Sequence, residues 1–337
     1  MTFPAPRVGI RIAGTGSAIP ERTLSNADLA GIMDTSDEWI TQRTGIRTRH
    51  IIDPERGENF LTLAAQALGQ ALKDARLAPT DLDFLVFATM CQDMTCPPGF
   101  SRLATLAGAT GVGGFDLVAA CSGWVFGANT AAAYIRSGLA RTVAVVGCDT
   151  LSQFCEYNTH GRAVAVLFGD AAGAAIFRAT DDPSKGLLAH SMHSDASNWE
   201  CLYVPRHERD VPPALRDQDV VINTIQMSGK SVFRFAVGTF PALIAETLDK
   251  AGLNPDDVDH YVCHQSNARI LEAARERFGL PSEKLFINID KYGNSSAGSV
   301  PLCFDELRRA GRVKDGQRVM FVAFGGGLTW GSSLWQL

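Results

Sequence analysis

The segments LAPTDLDFLVF (residues 77–87) and LNPDDVDHYVC (residues 253–263) share one pattern at a constant offset of 176 positions. Apolar, proline and aspartate positions coincide without a gap: Leu77, Pro79, Asp81, Asp83 and Val86 match Leu253, Pro255, Asp257, Asp259 and Val262. The same offset lays the apolar run TVAVVG (142–147) over RVMFVA (318–323). Self-similarity at a fixed offset indicates that one unit has been duplicated.

Each half reads as a helix, a turn with Pro and Asp, a buried strand, a second helix and another buried strand. Continuous apolar runs such as FLVFAT (84–89) are typical of strands covered on both faces. The pattern predicts an α/β protein with mixed sheets, made of an N-terminal half (1–180) and a C-terminal half (181–337). The stretch from about 180 to 225 is rich in Pro, Asp and Ser, which predicts a loop-rich insertion that closes over a site.

Composition excludes several classes of protein. With 337 residues, 46% hydrophobic and 20% charged, the chain has the balance of a globular protein with a large core. A net charge of −5 argues against nucleic-acid binding, which needs a basic surface. No run approaches the ~18 apolar residues of a membrane span and no secretory signal pattern precedes the core, so we expect a cytoplasmic protein. The eight cysteines form no CxxC pair, which argues against a zinc site or disulfide framework.

The segment FDLVAACSGWVFGANTAAAYIRSG (115–138) predicts a strand, then Cys121, then a buried helix that ends near Arg136 and Gly138. At a helix N-terminus the macrodipole and free N–H groups favour an anion, so we expect a lowered thiol pKa at Cys121. Taken alone, a free cysteine is more often a small buried hydrophobe.

Two polar residues in the second half favour the reactive interpretation. His264 lies just past a predicted buried strand, where α/β proteins gather reactive groups. Asn294 lies within three residues of position 297, the counterpart of Cys121 at the offset of 176. A lone histidine there is otherwise a hydrogen-bonded structural residue, and turn chemistry alone also explains Asn294. A pseudo-twofold relation between the halves would bring all three side chains to one centre.

Six motifs in order resemble the β-ketoacyl-acyl carrier protein (ACP) synthase III family of the thiolase-like superfamily. They are TSDEWITQRTGIRTRH (35–50), AACSGW (119–124), VLFGDAAGAA (166–175), CHQSNARI (263–270), YGNSSAGSVPL (292–302) and FGGGLTWGSSL (324–334). The resemblance implies a duplicated, five-layered α-β-α-β-α fold with two mixed sheets and a buried helix that carries the nucleophile. This agrees with the independently found repeat.

The resemblance also implies a reaction. Cys121 would be acylated by an acyl-CoA, with the amides of Cys121 and Gly326 as the oxyanion hole. His264 and Asn294 would then stabilise the enolate that forms when malonyl-ACP, or malonyl-CoA, loses carbon dioxide. The products would be 3-oxoacyl-ACP, carbon dioxide and CoA, in fatty-acid initiation, without a metal or other cofactor. A cytoplasmic homodimer is implied as well.

Substrate and partner contacts follow from the same motifs. Trp39 and Arg162 match the residues that sandwich adenine of CoA, and Arg43 matches a phosphate-contacting arginine. Arg234 and Arg269 are the expected ACP-binding residues, in a basic rim with Lys230, Arg275 and Arg277. Nearby Glu276 and the acidic overall charge count against that rim, since arginines on helices are often simply solvated.

Cys96 stands where family members often carry a bulky aromatic that closes the acyl pocket across the dimer interface. A smaller side chain leaves volume for a longer or bulkier acyl group. An alternative is therefore a related condensing enzyme or acyltransferase of secondary metabolism that uses an unusual starter. A cysteine hydrolase and a non-catalytic acyl-binding protein are further alternatives, disfavoured respectively by the apolar surroundings and by the presence of all three reactive residues.

Overall fold

The computed structural model describes residues 8–337. The strands are β1 (Gly9–Ala18), β2 (Thr23–Ser25), β3 (Thr48–His50), β4 (Phe84–Ala88), β5 (Gly113–Leu117), β6 (Thr142–Thr150), β7 (Asp170–Thr180), β8 (Gly186–Ser194), β9 (Leu202–Tyr203), β10 (Gln226–Met227), β11 (His260–Cys263), β12 (Arg318–Gly325) and β13 (Thr329–Gln336). The helices are α1 (Asn26–Ala30), α2 (Asp37–Thr44), α3 (Phe60–Ala75), α4 (Gly99–Ala107), α5 (Gly123–Arg136), α6 (Arg162–Ala165), α7 (Gly229–Ala251), α8 (Ala268–Arg277), α9 (Ile289–Tyr292) and α10 (Ser299–Arg309).

The predicted duplication is present in the fold at the same offset of 176. Helices α3 and α7 end at equivalent residues, β4 and β11 start at equivalent residues, and so do α5 and α10, and β6 and β12. Short 3-10 turns match as well, Pro79–Asp81 with Pro255–Asp257 and Ala120–Ser122 with Ser296–Gly298.

The repeated aspartates explain why both halves fold alike. The Asp83 carboxylate accepts the N–H of Thr142 at the start of β6 (2.9 Å), and Asp259 accepts that of Arg318 at the start of β12 (2.8 Å). A buried strand end with unpaired N–H groups would be costly, so each carboxylate fixes where its neighbouring strand begins.

Two mixed sheets confirm the predicted fold class. The first has the order β1-β7-β6-β4-β5 and the second β11-β12-β13-β8. In each sheet the repeated strands pair in parallel, as β4 does with β6 and β11 with β12, and the remaining strands are mostly antiparallel. Since the first sheet ends at Thr180 and the second begins at Gly186, we propose the halves 1–180 and 181–337 as the two domains.

Helices α5 and α10 lie between the sheets, and α3 and α7 cover the outer faces. On α5, Trp124 Nε1 donates to Val145 O of the first sheet, and Asn129 Nδ2 donates to Ser332 O of the second. A helix that bonds to strands on both sides is buried all round, which explains its small and apolar sequence. The result is the predicted five-layered α-β-α-β-α arrangement.

The predicted loop-rich insertion from 180 to 225 is wrong in its first part. Residues Gly186–Ser194 form β8, which pairs antiparallel with β13 along its length. Burial alternates along GLLAHSMHS, but Leu188 and Met192 are exposed and Ser191 is buried, so polar and apolar residues do not alternate and this edge strand is easily read as a loop. The remainder, up to β10, consists of short 3-10 turns and the two-residue strand β9.

By length and composition alone, helix α7 is long and apolar enough to span a membrane. Of the residues in its apolar 18-residue window, 39% are buried inside the protein. Its buried residues pack against β8, β12 and β13: Ala236, Phe240, Leu243, Ile244 and Leu248. It therefore serves as an outer-layer helix of the second half.

Candidate active site

Cys121 lies in the 3-10 turn Ala120–Ser122, directly before α5, as the sequence predicts. The preceding Ala120 has a φ of +45°, a left-handed backbone that residues other than glycine rarely adopt. Such strain persists only where surrounding contacts hold it, and it is concentrated at functional sites. Cys121 is 7% exposed.

The equivalent turn of the second half, Ser296–Gly298, faces the nucleophile. Ser296 also has a left-handed φ, +50°, and its hydroxyl donates to Cys121 Sγ at 3.3 Å. The N-terminal ends of the two inner helices α5 and α10 therefore lie next to each other. Sequence reasoning missed Ser296, although the offset of 176 maps it onto Ala120, next to the nucleophile.

His264 follows the end of β11 and is 1% exposed. Its backbone N–H donates to Val322 O (2.8 Å), and its Nδ1 lies 2.7 Å from Ser299 Oγ. Burial lowers the pKa of His264 to about 3, so the imidazole is neutral across the physiological range.

Asn294 lies in the turn between α9 and α10, 6% exposed. Its Oδ1 accepts the N–H of Ser296 (2.9 Å), which leaves the Nδ2 hydrogens free to donate. Its backbone pairs with the segment before β7, where its N–H reaches Leu167 O (2.8 Å). The preceding Gly293 has a φ of +65°, and a Cβ there would lie 2.9 Å from Leu167 O, so this turn requires glycine.

The three side chains line one cavity of about 230 Å³, whose other lining residues include Trp39, Arg43 and Phe324. Ser296 is bonded to each of them: directly to Cys121, through its N–H to Asn294, and through its carbonyl to the Ser299 hydroxyl (2.8 Å) that contacts His264. A buried network with every member bonded holds its groups in one geometry.

The thiol pKa departs from expectation. Burial raises the pKa of Cys121 to about 12, the hydrogen bond from Ser296 lowers it, and the buried carboxylate of Asp149 raises it further. This direction is opposite to the lowering expected at a helix N-terminus. Desolvation of the thiolate outweighs the helix terminus because no cationic side chain contributes at the sulfur.

A second cavity of about 270 Å³ continues from Cys121 and is lined mainly by apolar side chains, including Met90, Leu151 and Ile225. Gly326 lies on its wall, in the turn between β12 and β13. At neighbouring Gly325 a Cβ would lie 2.6 Å from the amide nitrogen of Cys121. The turn and the nucleophile are therefore in direct backbone contact, as an oxyanion hole shared by these segments requires.

Trp39, on α2, also lines the first cavity. The Arg43 guanidinium lies 4.3 Å and that of Arg162 lies 5.0 Å from the centre of the Trp39 ring. Arg162 is held in place by the backbone carbonyl and the carboxylate of Asp34. This group offers an aromatic face and two cations, suited to a planar base and phosphates.

The remaining predicted residues lie outside both cavities. Arg234 and Lys230 on α7 and Arg269 on α8 are exposed, with the Arg269 guanidinium 5.4 Å from the Phe233 ring that lines the first cavity. Arg275, by contrast, pairs with Glu272 at 2.5 Å. Cys96 is exposed in the loop before α4. Within residues 8–337, no cluster of three or more His, Cys, Asp or Glu has metal-binding geometry.

Comparison with known proteins gives two matching family models. The model described as 3-oxoacyl-[acyl-carrier-protein (ACP)] synthase III matches residues 115–196, and the model of its C terminal matches residues 248–337. The first range includes Cys121, and the second includes His264, Asn294 and Gly326.

Relatives that match nearly the whole chain carry the same family name. The β-ketoacyl-[acyl-carrier-protein] synthase III of Caldanaerobacter subterraneus subsp. tengcongensis is 41% identical over 328 residues, 97% of this chain and 98% of the relative. The crystal structure of 3-oxoacyl-[acyl-carrier-protein] synthase III from Aquifex aeolicus superposes with a TM-score of 0.89 at 38% identity, covering 98% and 100% of the two chains. The crystal structure of the priming β-ketosynthase of the R1128 polyketide pathway superposes with a TM-score of 0.90 at 32% identity, covering 100% of this chain and 98% of the other.

Proposed function

The chain belongs to the β-ketoacyl-ACP synthase III family, and from this premise we propose that it catalyses the condensation that initiates fatty-acid synthesis. An acyl group passes from acyl-CoA to Cys121 and is then condensed with malonyl-ACP, giving 3-oxoacyl-ACP, carbon dioxide and CoA. The observation that carries the proposal is the single cavity lined by Cys121, His264 and Asn294.

In the first half-reaction the sulfur of Cys121 attacks the thioester carbonyl carbon. The new C–S bond replaces the bond to CoA, which leaves as its thiol with the proton from Cys121, so atoms and charges balance. The tetrahedral oxyanion is stabilised by the amide N–H groups of Cys121 and Gly326. Because the pKa of about 12 leaves the Cys121 thiol protonated, the Ser296 hydroxyl supports the developing thiolate as the proton leaves.

In the second half-reaction the malonyl C–C bond breaks, carbon dioxide leaves, and the electron pair forms an enolate whose charge develops on the thioester oxygen. We assign Asn294 Nδ2 and His264 Nε2 as its two donors. Nε2 donates only in the tautomer whose Nδ1 accepts the Ser299 hydroxyl hydrogen, 2.7 Å away; because that hydroxyl has one hydrogen, it then gives up its bond to Ser296 O. The enolate carbon then attacks the acyl group, and the Cys121 thiolate leaves and regains a proton.

Substrate recognition divides between two surfaces. We assign Trp39, Arg43 and Arg162 to CoA, since Trp39 and Arg43 line the first cavity and both guanidinium groups lie beside the Trp39 ring. We assign Arg234 and Arg269 to the acidic carrier protein, because both are exposed near Phe233 at the rim of the first cavity. Malonyl-CoA is the alternative source of the malonyl group in the same reaction. No metal or cofactor enters either step.

We also propose a cytoplasmic homodimer. Within residues 8–337, strand β5 pairs with β4 alone, and apolar side chains at Met94, Leu106 and Val118 are exposed near it. An open, apolar strand edge is normally covered by a partner. Cys96 lies in the same region, so in a dimer it would border the acyl cavity of the partner subunit and leave room for longer primers.

Two alternatives are disfavoured. Hydrolysis needs water at the acyl-enzyme, whereas the second cavity, where the acyl chain would lie, is mainly apolar. A role in secondary metabolism is not favoured because relatives at about 40% identity over nearly the whole chain are named β-ketoacyl-[acyl-carrier-protein] synthase III.

Intact-mass spectrometry tests the function. The protein is incubated with acetyl-, butyryl- and octanoyl-CoA, and malonyl-ACP is then added. We expect an acyl adduct that is absent in Cys121→Ala, persists in the matched control Cys201→Ala, and is discharged only by malonyl-ACP. Rapid discharge by water would contradict condensation.

A further inference from the structure

Thr329 begins β13, directly after the turn that carries Gly326. In the hairpin its backbone is paired with Gly325, and the intervening turn contains Gly327 at a φ of +126°. Two consecutive glycines give this turn little conformational preference of its own. Its geometry must therefore be imposed by contacts from outside the turn.

The Thr329 hydroxyl contacts both chain segments that meet at the reactive sulfur. Oγ1 lies 3.0 Å from Ala119 O, two residues before Cys121, and 3.1 Å from Gly326 O within the turn. Ser122, one residue after Cys121, donates its own hydroxyl to Thr329 O at 3.1 Å. The Ala119 and Gly326 carbonyls share the single hydroxyl hydrogen of Thr329, and the Thr329 carbonyl accepts from Ser122, so this residue links the nucleophile segment to the glycine turn.

The opposite side of the turn is held differently. Leu328 exchanges two backbone hydrogen bonds with Asp195, at 2.9 and 3.0 Å. These bonds attach the turn to the segment after β8. The distance between the turn and Cys121 is set instead by the contacts of Thr329 and by the close packing of Gly325. The left-handed Ala120, between Ala119 and Cys121, is in the segment that Thr329 restrains.

We propose that Thr329 is a positioning residue that sets the separation and orientation of the Cys121 and Gly326 amides, and so assembles the oxyanion hole. The inference rests on the proposed function, because those two amides are the donors assigned to acylation. Hydrogen-bond donors must point at the place where the oxyanion forms, and a displacement of about 1 Å lowers the rate by about 100-fold.

The test compares Thr329→Val, which removes the hydroxyl and keeps the shape, with Thr329→Ser, which keeps the hydroxyl. Thr130→Val is the matched control, since the Thr130 hydroxyl bonds only to Phe126 O in its own helix. The first measurement is the rate of acyl-adduct formation with whichever of acetyl-, butyryl- and octanoyl-CoA reacts fastest with wild type. The second is alkylation of Cys121 by iodoacetamide, which needs the thiolate but forms no oxyanion.

We expect Thr329→Val to acylate between about 10-fold and 100-fold more slowly and to be alkylated within about twofold of wild type. Thr329→Ser should recover most of the acylation rate, and Thr130→Val should match wild type in both measurements. Wild-type acylation by Thr329→Val, or equal slowing of acylation and alkylation, would overturn the proposal.

Ser122→Ala keeps the test decisive if Thr329→Val does not fold. The Ser122 hydroxyl makes no cap bond to α5, so its removal loses the contacts to Thr329 alone. We expect slower acylation with unchanged alkylation, and wild-type acylation by this variant would overturn the proposal. A wild-type protein that is alkylated but acylated by no primer would instead refute the proposed function, and the role of Thr329 with it.

Discussion

Replacing Ser296 with alanine removes the one hydroxyl that donates to Cys121 Sγ, at 3.3 Å. The backbone N–H and carbonyl that serve Asn294 and Ser299 remain. Alanine tolerates the required left-handed backbone, since Ala120 at the equivalent position of the first half has a φ of +45° against +50° for Ser296. The substitution therefore isolates the bond to sulfur.

The size of the effect of Ser296→Ala on Cys121 ionisation follows from the difference between hydrogen bonds to a charged and to a neutral acceptor. A hydrogen bond to a charged group contributes about 1.5–3 kcal/mol and a neutral one about 0.5–1.5 kcal/mol. The thiolate therefore loses about 1–1.5 kcal/mol more than the thiol, which reduces the thiolate fraction about tenfold. The direction agrees with the lowering of the Cys121 pKa by Ser296 in the intact site.

The assay is the rate of alkylation by iodoacetamide between pH 7 and 9, followed by intact mass. Because the Cys121 pKa of about 12 lies above this range, both proteins should react about tenfold faster per pH unit, with Ser296→Ala about tenfold slower throughout. Ser296→Gly relieves the backbone strain and should share the loss of reactivity. Neighbouring Ser295, whose buried hydroxyl has no partner among residues 8–337, gives the control Ser295→Ala. Wild-type reactivity of Ser296→Ala would refute the reasoning.

Three further outcomes are expected. Cys96→Phe should shift adduct formation from octanoyl-CoA toward acetyl-CoA, because a bulky ring refills the acyl cavity across the dimer; an unchanged primer profile would contradict that placement. Trp39→Ala should raise KM for acyl-CoA about 3-fold to 30-fold by loss of stacking of about 0.5–2 kcal/mol. Acylation by a short N-acetylcysteamine thioester, which lacks adenine, should not change, and an equal effect on both donors would argue against an adenine contact. The His264 pKa of about 3 lies below its unfolded value, so its neutral form stabilises the fold above pH 6.5, and this contribution is lost as pH falls toward 3. Between pH 6.5 and 5.5, urea unfolding should show wild type losing about 1 kcal/mol more than His264→Gln, and parallel losses would exclude a buried neutral imidazole.

The repeat could be predicted because its aspartates act locally. Asp83 and Asp259 each bind the start of the neighbouring strand, so the spacing between aspartate and strand is visible in the sequence. Strand β8 was missed because its stability comes from pairing with β13, some 140 residues away, and little from its own alternation. Pairing across such a separation leaves no local pattern.

The site was predicted in its residues but not in its electrostatics. The motifs identify Cys121, His264 and Asn294, yet the raised thiol pKa comes from burial by segments of both halves and from Asp149. Ser296 was overlooked for a related reason: its function depends on a neighbour 175 positions away. Only the offset of 176, applied to each position around Cys121, points to it.

That offset also explains how a symmetric scaffold holds an asymmetric site. The equivalents of Cys121 and Ser296 are Ala297 and Ala120, and those of His264 and Asn294 are Ala88 and Val118. The residue equivalent to each of these four side chains in the other half thus has no reactive side chain. The first half supplies the nucleophile, and the second half supplies the hydrogen-bond donors. The pseudo-symmetry brings the starts of α5 and α10 into contact, where Ser296 bonds to Cys121. A second thiol at position 297 would lack its own histidine and asparagine, because Ala88 and Val118 occupy those positions. Duplication therefore yields one complete site in this fold rather than two.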